Sequence, residues 1–142
     1  MRKRSQARDF ALQILYQLDM SREEADRALG DFWEHKATRS EFENEAEVKA
    51  YTEKLVHGVI ERRTVLDEAI ERYAENWTLK RMACVDRNIL RLSAYELLFE
   101  AEVPMKVSIN EAVELAKRYG DSESSKFVNG VLDKIGKTAC KP

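Results

Sequence analysis

Between Val85 and Phe99 the chain sets Val85, Ile89, Leu90, Leu92, Ala94, Tyr95, Leu97, Leu98 and Phe99 so densely that a helix here is apolar around most of its circumference. Such a helix is stable only when neighbours cover it on several sides, so this segment is expected at the centre of a packed helical array. Asp86, Arg87 and Arg91 then mark whatever face remains exposed. Elsewhere apolar residues recur at helical spacing nearly throughout, and no convincing period-two run appears, which predicts an all-α chain. In the first segment Ala7, Phe10, Ala11, Ile14, Leu15 and Leu18 share one side of the helical wheel, with Gln6, Asp9, Gln13 and Gln17 opposite. Arg4 and Arg8 lie one turn apart along the flank of that stripe, where both guanidinium groups could meet one ligand.

Local signals divide the chain further. Three hydroxyl–acid pairs have the capping-box spacing: Ser21 with Glu24, Ser40 with Glu43, and Ser108 with Glu111. The last is the strongest, because Pro104 lies upstream and Ile109, Ala112, Val113 and Ala116 follow at helical spacing. Gly120 suits a helix stop, and Asp121 or Ser122 a new start. A further break is expected near Arg63–Thr64. Seven helices result, at roughly residues 5–20, 22–36, 41–62, 65–76, 81–101, 108–119 and 122–138. Trp77 at the junction before the fifth helix reads as a core aromatic plugging the seam between two halves. Gly130 lies inside the series Phe127, Val128, Val131, Leu132, Ile135, where it costs about 1 kcal/mol relative to alanine. That cost suggests close approach of another backbone, from a neighbouring helix or from a ligand.

Composition narrows the class. The 142 residues are one domain's length, 35% of them charged, with two prolines and five glycines, which favours a helix-rich protein over collagenous, disordered or all-β classes. Cys84 and Cys140 lie far apart and form no CxxC, so a reducing cytoplasm is the expected setting. No apolar run reaches transmembrane length, and the start does not read as a signal peptide. Charge is unevenly spread. Residues 19–53 are acidic, including Glu41, Glu43, Glu45 and Glu47, whereas Arg2, Lys3, Arg4 and Arg8 crowd the start and Lys126, Lys134, Lys137 and Lys141 the end. If the first and last helices pack side by side, these cations form one positive surface. A basic arm leading into a helix meets nucleic-acid phosphates by releasing condensed counterions, though a solvated terminus carries the same charges.

Catalytic patterns are missing. Neither GxxxxGKS/T nor GxGxxG occurs, and His35 and His57 have no Cys or second His at metal-ligand spacing. Acid pairs lie on charged helix faces, where solvation accounts for them. No enzyme, cofactor or metal is expected.

Three blocks carry a resemblance to a known family. They are Ala7-Arg8-Asp9-Phe10-Ala11-Leu12-Gln13-Ile14-Leu15-Tyr16; then Val85-Asp86-Arg87-Asn88-Ile89-Leu90-Arg91 continuing through Ala94-Tyr95-Glu96-Leu97-Leu98. The third begins at Pro104 and Val107, runs from Ile109 to Lys117, and ends with Lys126-Phe127-Val128-Asn129-Gly130-Val131-Leu132-Asp133. In this order they resemble the NusB family of bacterial transcription antitermination factors over nearly the whole chain. The resemblance implies two packed helical subdomains, approximately 1–77 and 78–142, and no enzymatic site. It implies a complex with the small-subunit ribosomal protein that doubles as NusE, binding to the boxA element of nascent RNA, and help to RNA polymerase in resisting termination, notably in ribosomal RNA operons.

Residue roles follow from the same likeness. Arg4 and Arg8, helped by Arg2 and Lys3, match the family's basic start and would contact phosphates and bases, for which a planar guanidinium is suited. Lys126 and Phe127 match its RNA-side pair; the lysine would neutralise phosphate and the ring would stack a base or else pack in the core. Glu123 matches a position near the RNA, where an acid weakens or filters binding. Tyr16 and Asp86 match the NusE-facing surface. Ser5 and Gln6 interrupt the arginine run often seen in the family, and the acidic stretch 41–47 has no family role. Alternatives are a protein–protein adaptor whose arm never touches RNA, or a relative of the helical domain that opens certain ribosomal RNA cytosine methyltransferases. The second is disfavoured because 142 residues leave no room for a Rossmann unit. Monomer and homodimer both remain open.

Overall fold

In the computed structural model the structure describes residues 3–39 and 45–138, with the side chains of 37–39 left aside. Arg2, the Ser40–Glu43 pair, Cys140 and Lys141 lie outside the described residues. Among the described residues there are seven α-helices, one 3-10 turn and no strand. The chain divides into two compact units, Met1–Gly58 and Val59–Pro142. The helix ending at Tyr73 belongs to the second unit, because it packs on helices that follow it.

The first unit contains α1 (Lys3–Ser21), α2 (Ala25–Arg39) and most of α3 (Glu45–Glu61). The predicted stripe of α1 is inward: Ala7, Phe10, Ala11, Ile14 and Leu15 are buried. Phe10 meets Phe32 and Trp33 of α2 edge-to-face, with ring centroids 5.2 and 5.9 Å away. The indole N–H of Trp33 donates to Glu53 of α3 at 2.9 Å, which gives a half-buried polar group its partner. Ser21 does not cap α2. It closes α1, donating to the Gln17 carbonyl at 2.8 Å, while Arg22 turns into the left-handed region (φ 60) and its N–H returns to Leu18. Helix α2 therefore starts three residues later than the hydroxyl suggested.

In the second unit α4 (Arg63–Tyr73), α6 (Met105–Tyr119) and α7 (Ser124–Thr138) all pack on α5 (Cys84–Phe99). Ten residues of α5 are buried, which matches the all-round apolar pattern. Two expectations at this core are corrected. Arg91 does not mark an exposed face: it is 5% exposed and holds Asp67 of α4 through two bonds, Nε–Oδ1 at 2.8 Å and Nη2–Oδ2 at 3.2 Å. Ser108 is not a cap. Helix α6 begins at Met105, directly after extended Pro104, so Ser108 falls in its second turn. There its hydroxyl pairs with that of Ser93 at 2.9 Å and donates to Glu96 at 3.0 Å, a buried polar cluster between α5 and α6.

The close approach expected at Gly130 occurs at Gly136 instead. A β-carbon added at Gly136 would lie 2.6 Å from the Met105 sulfur, whereas one added at Gly130 meets nothing within 4 Å. No neighbouring helix among the described residues therefore accounts for the glycine at 130. Gly130→Ala should raise unfolding free energy by about 0.5–1 kcal/mol, measured by denaturant titration, because only unfolded-chain entropy changes.

Candidate nucleic-acid interface

In the first unit, α1 and α3 build a shallow groove lined by Lys3, Arg4, Glu47, Ala50, Tyr51 and Lys54. Spacings of three and four along α3 put Glu47, Ala50, Tyr51 and Lys54 on one face. Arg4 is exposed, with its guanidinium carbon 4.5 Å from the centre of the Tyr51 ring. A cation held over a ring is partly positioned before any ligand arrives. Arg8 departs from the expectation. It is 4% exposed, with its guanidinium carbon 5.9 Å from the same ring, so it fills the packing beneath the groove rather than presenting a second fork to solvent. Lys3 pairs with Glu47 at 2.6 Å, which gives one acid of the 41–47 stretch a contact with the basic arm. Lys54 adds a cation that the N-terminal pattern alone could not reveal. Tyr16 stands 40% exposed farther along α1.

In the second unit a cleft of about 510 Å³ opens where three local structures meet. They are the turn after α4, the 3-10 turn Leu79–Arg81 with the start of α5, and the cap of α7. Asp121 shapes that cap: its carboxylate accepts from the Glu123 N–H at 2.9 Å and from the Ser124 hydroxyl at 3.3 Å. This fixes Glu123, Lys126 and Phe127 at the rim. Trp77 is not a buried plug. Asn76 adopts a left-handed conformation (φ 67), and Trp77 emerges 46% exposed, 6.3 Å from the half-buried Phe127 with rings inclined at 66°. The Arg81 guanidinium carbon lies 5.6 Å from the Trp77 ring centre. Thus Lys126, Phe127, Glu123 and Asp86 of the sequence reading line one cleft, together with Trp77 and Arg81, which it missed.

Asp86 is under electrostatic stress. Its Oδ1 is buried and has no hydrogen-bond partner among the described residues. Desolvation raises its pKa above the ordinary 3.8; a hydrogen bond with Ser124 opposes the rise, and repulsion from Asp121 adds to it. The folded state therefore keeps this proton over a pH range where the unfolded chain has lost it. The resulting stability is fully present below pH 3.8 and is lost as pH rises through the raised value. Asp86→Asn removes the charge, so it should melt higher than the parent at pH 7, with the gain fading below about pH 4. Melting curves across pH check this.

Other chemistry-bearing groups are dispersed. His57 faces Asp26 at 3.3 Å on an exposed surface, His35 is exposed, and no cluster of metal-ligating side chains occurs among the described residues. No helix in the described residues is long and apolar enough to cross a membrane.

Fold and patches together define a small helical protein whose distinctive surfaces are aromatic and cationic. Residues 5–137 match the NusB family. The transcription antitermination protein NusB of Anaeromyxobacter dehalogenans is 52% identical over 134 residues, 94% of this chain and 89% of that protein. Its counterpart in Bacillus subtilis (strain 168) is 47% identical over 133 residues, 94% of each. The solved structure of T. maritima NusB superposes with a TM-score of 0.86 at 36% identity, covering 99% of this chain and 94% of that one. A crystal structure of antitermination factors NusB and NusE in complex with dsRNA gives a TM-score of 0.82 at 33% identity, covering 96% and 98%. The chain belongs to the NusB family. These relatives carry the name of a transcription antitermination protein, not of an enzyme.

Proposed function

We propose that this protein is a transcription antitermination factor that binds boxA-type single-stranded RNA together with the ribosomal protein NusE. In that role it would help RNA polymerase read through terminators, notably in ribosomal RNA operons. The observation that carries the reading is the cleft in which Lys126, Phe127 and the exposed Trp77 stand together, in a chain of which 96% matches one chain of a structure of NusB and NusE in complex with dsRNA. Exposed rings suit unpaired bases, each stacked base being worth about 1–3 kcal/mol, whereas a duplex hides its bases. Arg4, with Lys3 and Lys54, supplies phosphate contacts from the first unit. Arg8 supports that surface by packing, and Glu123 restrains affinity by repelling phosphates. Tyr16 is the partner-facing candidate on α1. Asp86, paired with Tyr16 by the family likeness, shares the cleft with Lys126.

The test is a titration of single-stranded boxA-type RNA at several salt concentrations, with and without NusE. Weak binding by the protein alone, at least tenfold tighter with NusE and falling with salt, is the expected result. RNA affinity unchanged by NusE contradicts joint binding. A protein–protein adaptor would show NusE binding and no salt-dependent RNA binding at all.

A further inference from the structure

The basic arm meets α3 in two different ways. Lys3 gives its ammonium to Glu47, with Nζ 2.6 Å from Oε2, so a phosphate must displace a carboxylate before it can use that charge. Arg4, the next residue, lies over the Tyr51 ring, its guanidinium carbon 4.5 Å from the ring centre. A ring attracts a cation through its negative face without cancelling the charge. The N–H donors of a guanidinium lie in its plane, so a ring against its face leaves them open to a phosphate.

We propose that Tyr51 is a positioning residue for RNA, holding the Arg4 guanidinium ready so that less side-chain freedom is lost when a phosphate arrives. The inference rests on the RNA-contacting role of Arg4 proposed above and deepens it by naming what sets the strength of that contact. Arg4 stands exposed in the first turn of α1, where a side chain with nothing to rest on samples many rotamers. Tyr51 is only 8% exposed, so its ring is a fixed platform and not a mobile surface group. Its neighbour Thr52 is fully buried. The Thr52 hydroxyl donates to the Val48 carbonyl at 2.7 Å and shares that proton with the Ala7 carbonyl at 3.4 Å. This ties α3 to α1 one turn beyond Arg4 and fixes the ring relative to the arm. The buried Arg8 approaches the same ring at 5.9 Å, so one tyrosine serves a cation that packs and a cation that is presented.

The experiment measures binding of single-stranded boxA-type RNA to the full chain with NusE present, at a temperature where circular dichroism shows each variant folded. Tyr51→Leu should weaken binding about three- to fivefold, whereas Tyr51→Phe, which keeps the ring, should stay within about twofold of the parent. Pentafluorophenylalanine in place of Tyr51 keeps the shape of the ring and inverts the charge of its face. It should bind like Tyr51→Leu, and it takes over the test if the leucine variant does not fold. In an Arg4→Gln background each of these changes should alter affinity less than about 1.5-fold, because the ring acts through Arg4. In the free protein the Arg4 side-chain NMR signals should carry a ring-current shift that Tyr51→Phe keeps and Tyr51→Leu removes. Equal losses from Tyr51→Leu with and without Arg4 overturn the proposal, since the ring then acts by packing alone. A pentafluorophenylalanine variant that binds like the parent overturns it too. RNA affinity unchanged by Arg4→Gln overturns the contact at Arg4 and the proposal with it, and no RNA binding by the parent overturns the RNA-binding reading itself.

Discussion

Arg91→Met should lower unfolding free energy by about 3–5 kcal/mol, the largest stability loss expected from one substitution in this chain. The Arg91 side chain is 6% exposed and that of Asp67 26%, so removing the guanidinium strands a largely desolvated carboxylate at the α4–α5 contact. Arg63 approaches the same carboxylate only at 3.7 Å from the exposed surface and cannot replace a two-bond fork. Arg91→Lys should recover less than half of the loss, because an ammonium cannot make both parallel bonds. The double replacement Arg91→Met with Asp67→Leu should recover most of it, since neither charge is then left unpaired. Denaturant unfolding of the parent, Arg91→Met, Asp67→Leu and the double variant forms a double-mutant cycle that measures the coupling directly. A loss below about 1 kcal/mol for Arg91→Met, the range of surface ion pairs, would show the bridge to be solvated.

The second large effect is on RNA. Phe127→Leu should weaken single-stranded RNA binding about five- to fiftyfold while shifting the melting temperature little, because leucine keeps the apolar contact and loses the stacking face. Phe127→Ala should lose both affinity and stability, since Phe127 is half-buried against Trp77. Comparing the two separates stacking from packing, which the helical period of Phe127 with Val131 left undivided. If Phe127→Leu binds RNA like the parent while Phe127→Ala melts lower, the ring is a packing residue only.

How far the sequence carried these conclusions depended on the range of the interaction. Helix α5 was legible as the central element because its apolar residues announce burial without knowledge of the neighbours. The burial of Arg91 was not, because its partner Asp67 is 24 residues away and both read as surface charges on their own helices. Ser108 misled for a related reason. Its spacing to Glu111 is that of a cap, but extended Pro104 lets the helix start at Met105 and frees the hydroxyl for Ser93 and Glu96. Trp77 was misread because tryptophan usually packs inward, and the left-handed backbone at Asn76 that turns it out leaves no pattern in composition.

The candidate site divides the same way. Lys126, Phe127 and Glu123 came from the family likeness, and the Asp121 cap explains why they share one rim. Arg81 escaped notice because it lies on a three-residue 3-10 turn that helical periodicity does not resolve. The pairing of Arg4 and Arg8 on one flank was sound as helix geometry. Only the packing with Tyr51 of α3 shows that one is exposed and the other buried.

The central proposal, that Arg4 and Lys126 contribute phosphate contacts to RNA binding, is tested most directly by the salt dependence of binding. Single-stranded boxA-type RNA is titrated in the presence of NusE against the parent, Arg4→Gln, Lys126→Gln and the double variant. Each lost phosphate contact should flatten the slope of log affinity against log salt by about 0.7, and the double variant by about 1.4. A slope that stays at the parent value in all three variants contradicts the account.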